Sequence, residues 1–173
     1  TDVKPSRLAA AQEAARSFIA DQPGTTRIGI VTFAGAAALV QPPTHSRDDL
    51  LAAIDRFQLQ RGTAVGSGIV ISLATLLPEA GIDAEKHING TSSRWRFPNE
   101  DPPKKLAPGS NASVAIVLLT DGVTNTGPDP LKMAQLAADH GVRVYTVGIG
   151  TPEGATLSMK GMSMRVRLEE GVL

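Results

Sequence analysis

The sequence predicts one α/β domain over residues 1–173, with a doubly wound, mostly parallel central sheet, helices on both faces and one short antiparallel edge strand. Two observations carry this. The runs 28–33, 114–119 and 142–149 are apolar on both alternations, as strands covered on both faces are. Between them lie segments whose apolar residues recur at helical spacing, so helices and strands alternate along the chain.

The elements follow in order. A first helix starts near Pro5 and Ser6, carries Leu8, Ala11, Ala15 and Phe18 on one stripe, and ends at Asp21-Gln22-Pro23-Gly24. After the strand at 28–33, Leu39-Val40 reads as a short edge strand before Pro42-Pro43, which a central ladder would not accept. Ser46 is a good N-cap, and Leu50, Ile54 and Phe57 follow at helical spacing. A third helix is expected over 66–77, burying Val65, Ile69, Leu73 and Leu76. The fourth has Asp129 as cap, Pro130 in its first turn, a stripe of Leu131, Ala134 and Ala138, and Gly141 as its stop. Near the end, Leu157/Met159 and Met164/Val166/Leu168 predict a hairpin around Lys160-Gly161.

Residues 78–113 break the pattern. This long polar insertion contains Pro98, Pro102, Pro103 and Pro108 with little periodicity, and is expected to be a mobile surface loop. Trp95, between Arg94 and Arg96, is the feature that would make it a contact loop. The Asn89-Gly90-Thr91 and Asn111-Ala112-Ser113 triplets are read as chance matches to the glycosylation pattern.

Composition narrows the function classes. The formal net charge is zero, so no electrostatic footprint points to nucleic acid or an anionic membrane. With no cysteine, neither disulfides nor a zinc-thiolate site can form. No apolar run approaches the roughly 20 residues needed to span a bilayer.

Two polar stretches stand out, Gly62-Thr63-Ala64-Val65-Gly66 and Thr120-Asp121-Gly122. In open α/β sheets, ligands bind beyond the carboxyl ends of strands. Asp121 sits at such an end, with Gly122 allowing a sharp turn, and Thr63 precedes a helix start. A small hard cation takes oxygen ligands, keeps several waters and uses few carboxylates. Thr63 and Asp121 are therefore candidate ligands for part of such a site. The plainer alternative is that Asp121 caps a turn and Thr63 caps a helix.

These stretches resemble two of the three loops of the metal-ion-dependent adhesion site of von Willebrand factor A (vWA) domains. The resemblance covers almost the whole chain in element order. It implies that Thr63 ligates Mg²⁺, or Mn²⁺ or Ca²⁺, directly, and that Asp121 acts through water. The third loop, Asp-x-Ser-x-Ser, is absent, and so is the central strand leading into it. The strands at 28–33 and 114–119 are then expected to lack their shared neighbour, and the biological domain is expected to continue beyond both ends.

Asp2-Val3-Lys4-Pro5-Ser6-Arg7-Leu8, Phe33-Ala34-Gly35, Gln41-Pro42-Pro43-Thr44 and Gly148-Ile149-Gly150-Thr151-Pro152-Glu153-Gly154 narrow the resemblance to the bacterial membrane-anchored vWA proteins of aerotolerance (Bat-type) operons. That likeness implies tethering to the bacterial cell membrane by segments outside this chain, an extracytoplasmic vWA domain, and work with sibling vWA proteins and a MoxR-type AAA+ ATPase.

Enzyme readings find little support. His45, His87 and His140 are far apart, and Ser67 lacks the glycine context of a nucleophile elbow. Neither a dinucleotide fingerprint nor a phosphate loop occurs. Met159, Met162 and Met164 read as packing residues, and Asp48-Asp49 and Glu169-Glu170 as solvated charge. The expected function is non-enzymatic: a metal-assisted protein-binding domain whose partner offers an acidic side chain to the cation. The alternative is a scaffolding domain with a vestigial metal site, binding through 78–113.

Overall fold

The computed structural model describes residues 7–58, 61–90, 105–120, 124–148, 156–159 and 162–167, the last two stretches as backbone only. Helix α1 (Arg7–Asp21) leads into an antiparallel pair, β1 (Ile28–Phe33) and β2 (Ala37–Thr44). Helices α2 (Arg47–Asp55) and α3 (Val65–Leu76) follow, then the short α4 (Ala84–Asn89). Strand β3 (Ala115–Thr120), helix α5 (Pro130–Asp139) and strand β4 (Arg143–Gly148) form a parallel crossover unit. A hairpin of β5 (Thr156–Met159) and β6 (Met162–Arg167) closes the order, with Met159 opposite Met162 and β6 antiparallel to β4. The hairpin was legible in the sequence; its turn, Lys160-Gly161, lies outside the described residues.

The α/β class holds, and β1 has helices on both faces. Ile28 and Ile30 pack with Phe18 and Phe57 against a core of Ile19, Leu50 and Ile54 from α1 and α2. Phe33, on the opposite alternation, packs against the larger core. That core joins Val65, Ile69, Val70 and Leu73 of α3 to Ile116 and Leu118 of β3, Met133 and Ala137 of α5, and Val142.

The sheet itself differs from a continuous parallel one. Among the described residues, β1 pairs only with β2, and β3-β4-β6-β5 form a separate sheet. Among the described residues, β1 and β3 thus have no common neighbour, which is the arrangement the sequence reading expects. The parallel part is correspondingly narrow: β3–β4 is parallel, while β1–β2, β4–β6 and β5–β6 are antiparallel. Helix α3 packs against β1, β2 and β3, and so joins the two sheets.

Three further details depart from the sequence reading. Strand β2 is longer than predicted and contains both Pro42 and Pro43. An edge strand tolerates the missing N–H groups, and the register shift between Ile28 and Ile30 falls opposite the two prolines. On α5 the buried residues are Met133, Ala137 and Ala138, whereas Leu131 is 56% exposed. Residues 78–113 are not structureless over their described ends. Pro78–Ala80 form one 3-10 turn, and α4 is capped by Asp83, whose carboxylate accepts from the Lys86 N–H at 3.0 Å. Residues 105–111 lie along the end of α5. The Leu106 N–H donates to the Asp139 carbonyl at 2.8 Å, and the Asn111 N–H to the Gly141 carbonyl at 3.0 Å. Trp95 and the prolines at 98, 102 and 103 lie outside the described residues.

Candidate metal centre

The site is built at the start of α3. Gly62 has a φ of 93°, a left-handed conformation that a side chain would resist, and it passes close to the turn after β1. A Cβ on Gly62 would sit 2.9 Å from Gly35 Cα. Helix α3 then begins at Val65 with Ala64 as a cap that offers no side-chain acceptor. Orphan N–H groups of a first helical turn must find partners elsewhere. Here a different loop supplies them.

That loop follows Asp121. The Asn125 Oδ1 accepts from the Thr63 N–H at 2.8 Å, and the Asn125 N–H donates back to the Thr63 carbonyl at 3.1 Å. The Thr124 hydroxyl donates to the same Thr63 carbonyl at 2.8 Å and accepts from the Val65 N–H at 3.4 Å. Gly66 meets Pro128 so closely that a Cβ would fall 2.1 Å from the Pro128 carbonyl oxygen. Gly68 meets Phe33 of β1 in the same way, at 2.9 Å. Three chain segments therefore converge at one rim: the turn after β1, the Thr63 loop and residues 124–128.

Of the two predicted ligands, Thr63 is half-buried in this rim. Its backbone donor and acceptor are committed to Thr124 and Asn125, and those bonds leave its hydroxyl unused. Asp121, with Gly122 and Val123, lies outside the described residues; Thr120 before it ends β3, opposite Gly148. The described side-chain oxygens bonded at or next to Thr63 are the Thr124 hydroxyl and the Asn125 amide oxygen, beside the Thr63 hydroxyl itself. An all-oxygen set of this kind fits a hard cation and not a soft one. Among the described residues no group of three or more His, Asp or Glu side chains gathers, at this rim or elsewhere.

Thr124 and Asn125 were missed in the sequence. Their signal was a polar run, Thr124-Asn125-Thr126-Gly127, straight after the aspartate. Such side chains often bond to backbone, but the run does not say to which loop. The histidines are placed apart. His45 is exposed, His87 lies on α4, and the His140 Nδ1 is 2.8 Å from the Leu136 carbonyl at the end of α5. No helix among the described residues is long and apolar enough to cross a membrane.

Comparison with known proteins bears on this rim. Residues 1–123 match the model of one von Willebrand factor type A domain family, and residues 101–166 match a second model of the same description. The chain is 38% identical to a UPF0353 protein of Mycolicibacterium vanbaalenii over 162 residues, covering 89% of this chain and 41% of that relative. The chain thus spans about two fifths of the length of that relative. It is similar in fold to an aerotolerance-related membrane protein from Bacteroides fragilis, with a TM-score of 0.59, 22% identity, and coverage of 99% of this chain and 76% of that one. Proximal thread matrix protein 1 of the mussel byssus, solved with zinc in its MIDAS motif, superposes with a TM-score of 0.53 at 18% identity, over 84% of this chain and 33% of that one.

Proposed function

This chain belongs to the von Willebrand factor type A family, and from that premise we propose that it is a cation-assisted protein-binding domain of a bacterial envelope protein. The observation that carries the reading is the bonding of the Thr63 loop to Thr124 and Asn125, the residues just beyond Thr120-Asp121-Gly122. A hydroxyl at a helix start and the loop of a strand-terminal aspartate are thereby held at one rim. In this reading Thr63 and Asp121 contribute to holding Mg²⁺, and an acidic side chain of a partner protein completes its oxygen shell. The cation supplies a concentrated positive charge for that carboxylate, and the chain's own residues fix where it sits. The role is binding, not catalysis.

Envelope placement is supported by the likeness to proteins described as membrane proteins. The partners in this reading are sibling vWA proteins and an AAA+ ATPase of the MoxR type. Isothermal titration of Mg²⁺ into the full-length protein tests the site. Asp121→Ala and Thr63→Val are each expected to weaken cation affinity by about tenfold or more, the range in which losing a coordination partner falls. Unchanged affinity in both variants would reject the reading.

A second reading goes through the insertion at 78–113, whose described parts, 78–90 and 105–111, are held by α4 and by bonds to the end of α5. Here partner binding goes through that segment. Replacing 91–104 by a short Gly/Ser linker would then abolish partner capture while leaving Mg²⁺ affinity intact.

A further inference from the structure

We propose that Thr124 is a positioning residue for the cation loop, acting through Thr63; the inference rests on the cation-binding reading above. A hydroxyl both donates and accepts, and Thr124 uses both capacities on the chain flanking Thr63. It donates to the Thr63 carbonyl at 2.8 Å, the nearer of two acceptors (the Thr126 carbonyl is at 3.3 Å), and accepts from the Val65 N–H at 3.4 Å. Asn125 adds the third tie, accepting from the Thr63 N–H at 2.8 Å. The peptide groups on both sides of the Thr63 Cα are thus fixed by a loop that does not include Thr63.

Once those peptides are fixed, the chief remaining freedom of Thr63 is χ1, which is itself restricted in a β-branched residue. The direction of its hydroxyl is therefore set before any ligand arrives. Preorganisation of this kind raises affinity by removing an ordering cost at binding. It also ties the Thr63 backbone to residues 124 and 125, so the hydroxyl is held on a rim that a second loop helps to build.

The test uses the full-length protein and Mn²⁺ as probe, with free Mn²⁺ read by electron paramagnetic resonance well below the melting temperature. Thr124→Val keeps the shape and removes the hydroxyl. It is expected to weaken Mn²⁺ binding about tenfold, the lower end of the cost of losing an outer-shell partner. Thr124→Ser, which restores the hydroxyl, is expected to return affinity to within about twofold of the parent. Should Thr124→Val not fold, Asn125→Ala removes the third tie and is expected to weaken binding in the same direction.

A contact that merely joins the loops would lower the melting temperature in chelator while leaving Mn²⁺ affinity unchanged. That result would overturn the inference. Thr63→Val separates the two levels. If it weakens binding while Thr124→Val and Asn125→Ala do not, only the positioning role fails. If it too leaves affinity unchanged, the cation site fails and the positioning role with it.

Discussion

At the scale of single residues, the rim depends on side chains that are absent as much as on those present. Gly66 is the sharpest case, because Pro128 occupies the space its Cβ would take. Gly66→Ala would gain about 1 kcal/mol of helix propensity and incur about 3 kcal/mol of overpacking against backbone that cannot step aside cheaply. The expected net loss is about 2 kcal/mol in urea unfolding. Gly24→Ala, with nothing within 4 Å, is expected to stay within about 0.5 kcal/mol of the parent. In the sequence, Gly66 stood only as the end of the Gly62–Gly66 stretch; which segment packs against it could not be read. Thr63 was singled out because a hydroxyl before an apolar helix is a local pattern. Thr124 and Asn125 were not, because their partners lie about sixty positions back in the chain. The bonding that matters is non-local, and a polar run looks the same whether it faces solvent or another loop.

Among the elements, those with a cap or a stop were read best. Ser46 accepts from the Asp49 N–H at 3.2 Å, and Asp129 accepts from the Leu131 N–H at 2.9 Å, both as the sequence predicts. Arg47, one residue after the first of these caps, is a tie that spacing does not reveal. Its guanidinium donates to the carbonyls of Gln22, Pro23 and Thr26 and so closes the α1–β1 turn onto α2. The far end of α5 carries another. Lys105 lies 2.8 Å from the Asp139 carboxylate, which also accepts from Gln135 at 3.1 Å. The hydrogen bond from Lys105 is the main cause holding the Asp139 carboxyl below the usual carboxylate range, with Gln135 next. A carboxylate depressed on folding adds stability above its unfolded pKa, and that contribution disappears as pH falls through the folded one. The tie between 105–111 and α5 should therefore hold at neutral pH and loosen only in strong acid. Asp139→Asn is expected to flatten that acid dependence, and hydrogen exchange at the Leu106 N–H measures it.

For the whole molecule, the order of elements was legible and their pairing was not. Doubly apolar runs announce covered strands because their side chains carry the signal along the chain. Which strand lies beside which is set by backbone groups that every residue shares, so the division into two sheets had to be inferred from an absent neighbour. The division has a physical consequence. Among the described residues β1 is bonded on one side only, so its other edge presents a row of peptide groups, and Ile28, Ile30, Val31 and Phe33 on it are only partly covered. Rows of this kind are templates for another extended chain. A polypeptide of just these 173 residues should therefore respond to dilution as well as to heat. Its sedimentation coefficient is expected to rise, and its melting midpoint to shift, between micromolar and hundred-micromolar samples, because copies meeting along exposed seams are linked to unfolding by mass action.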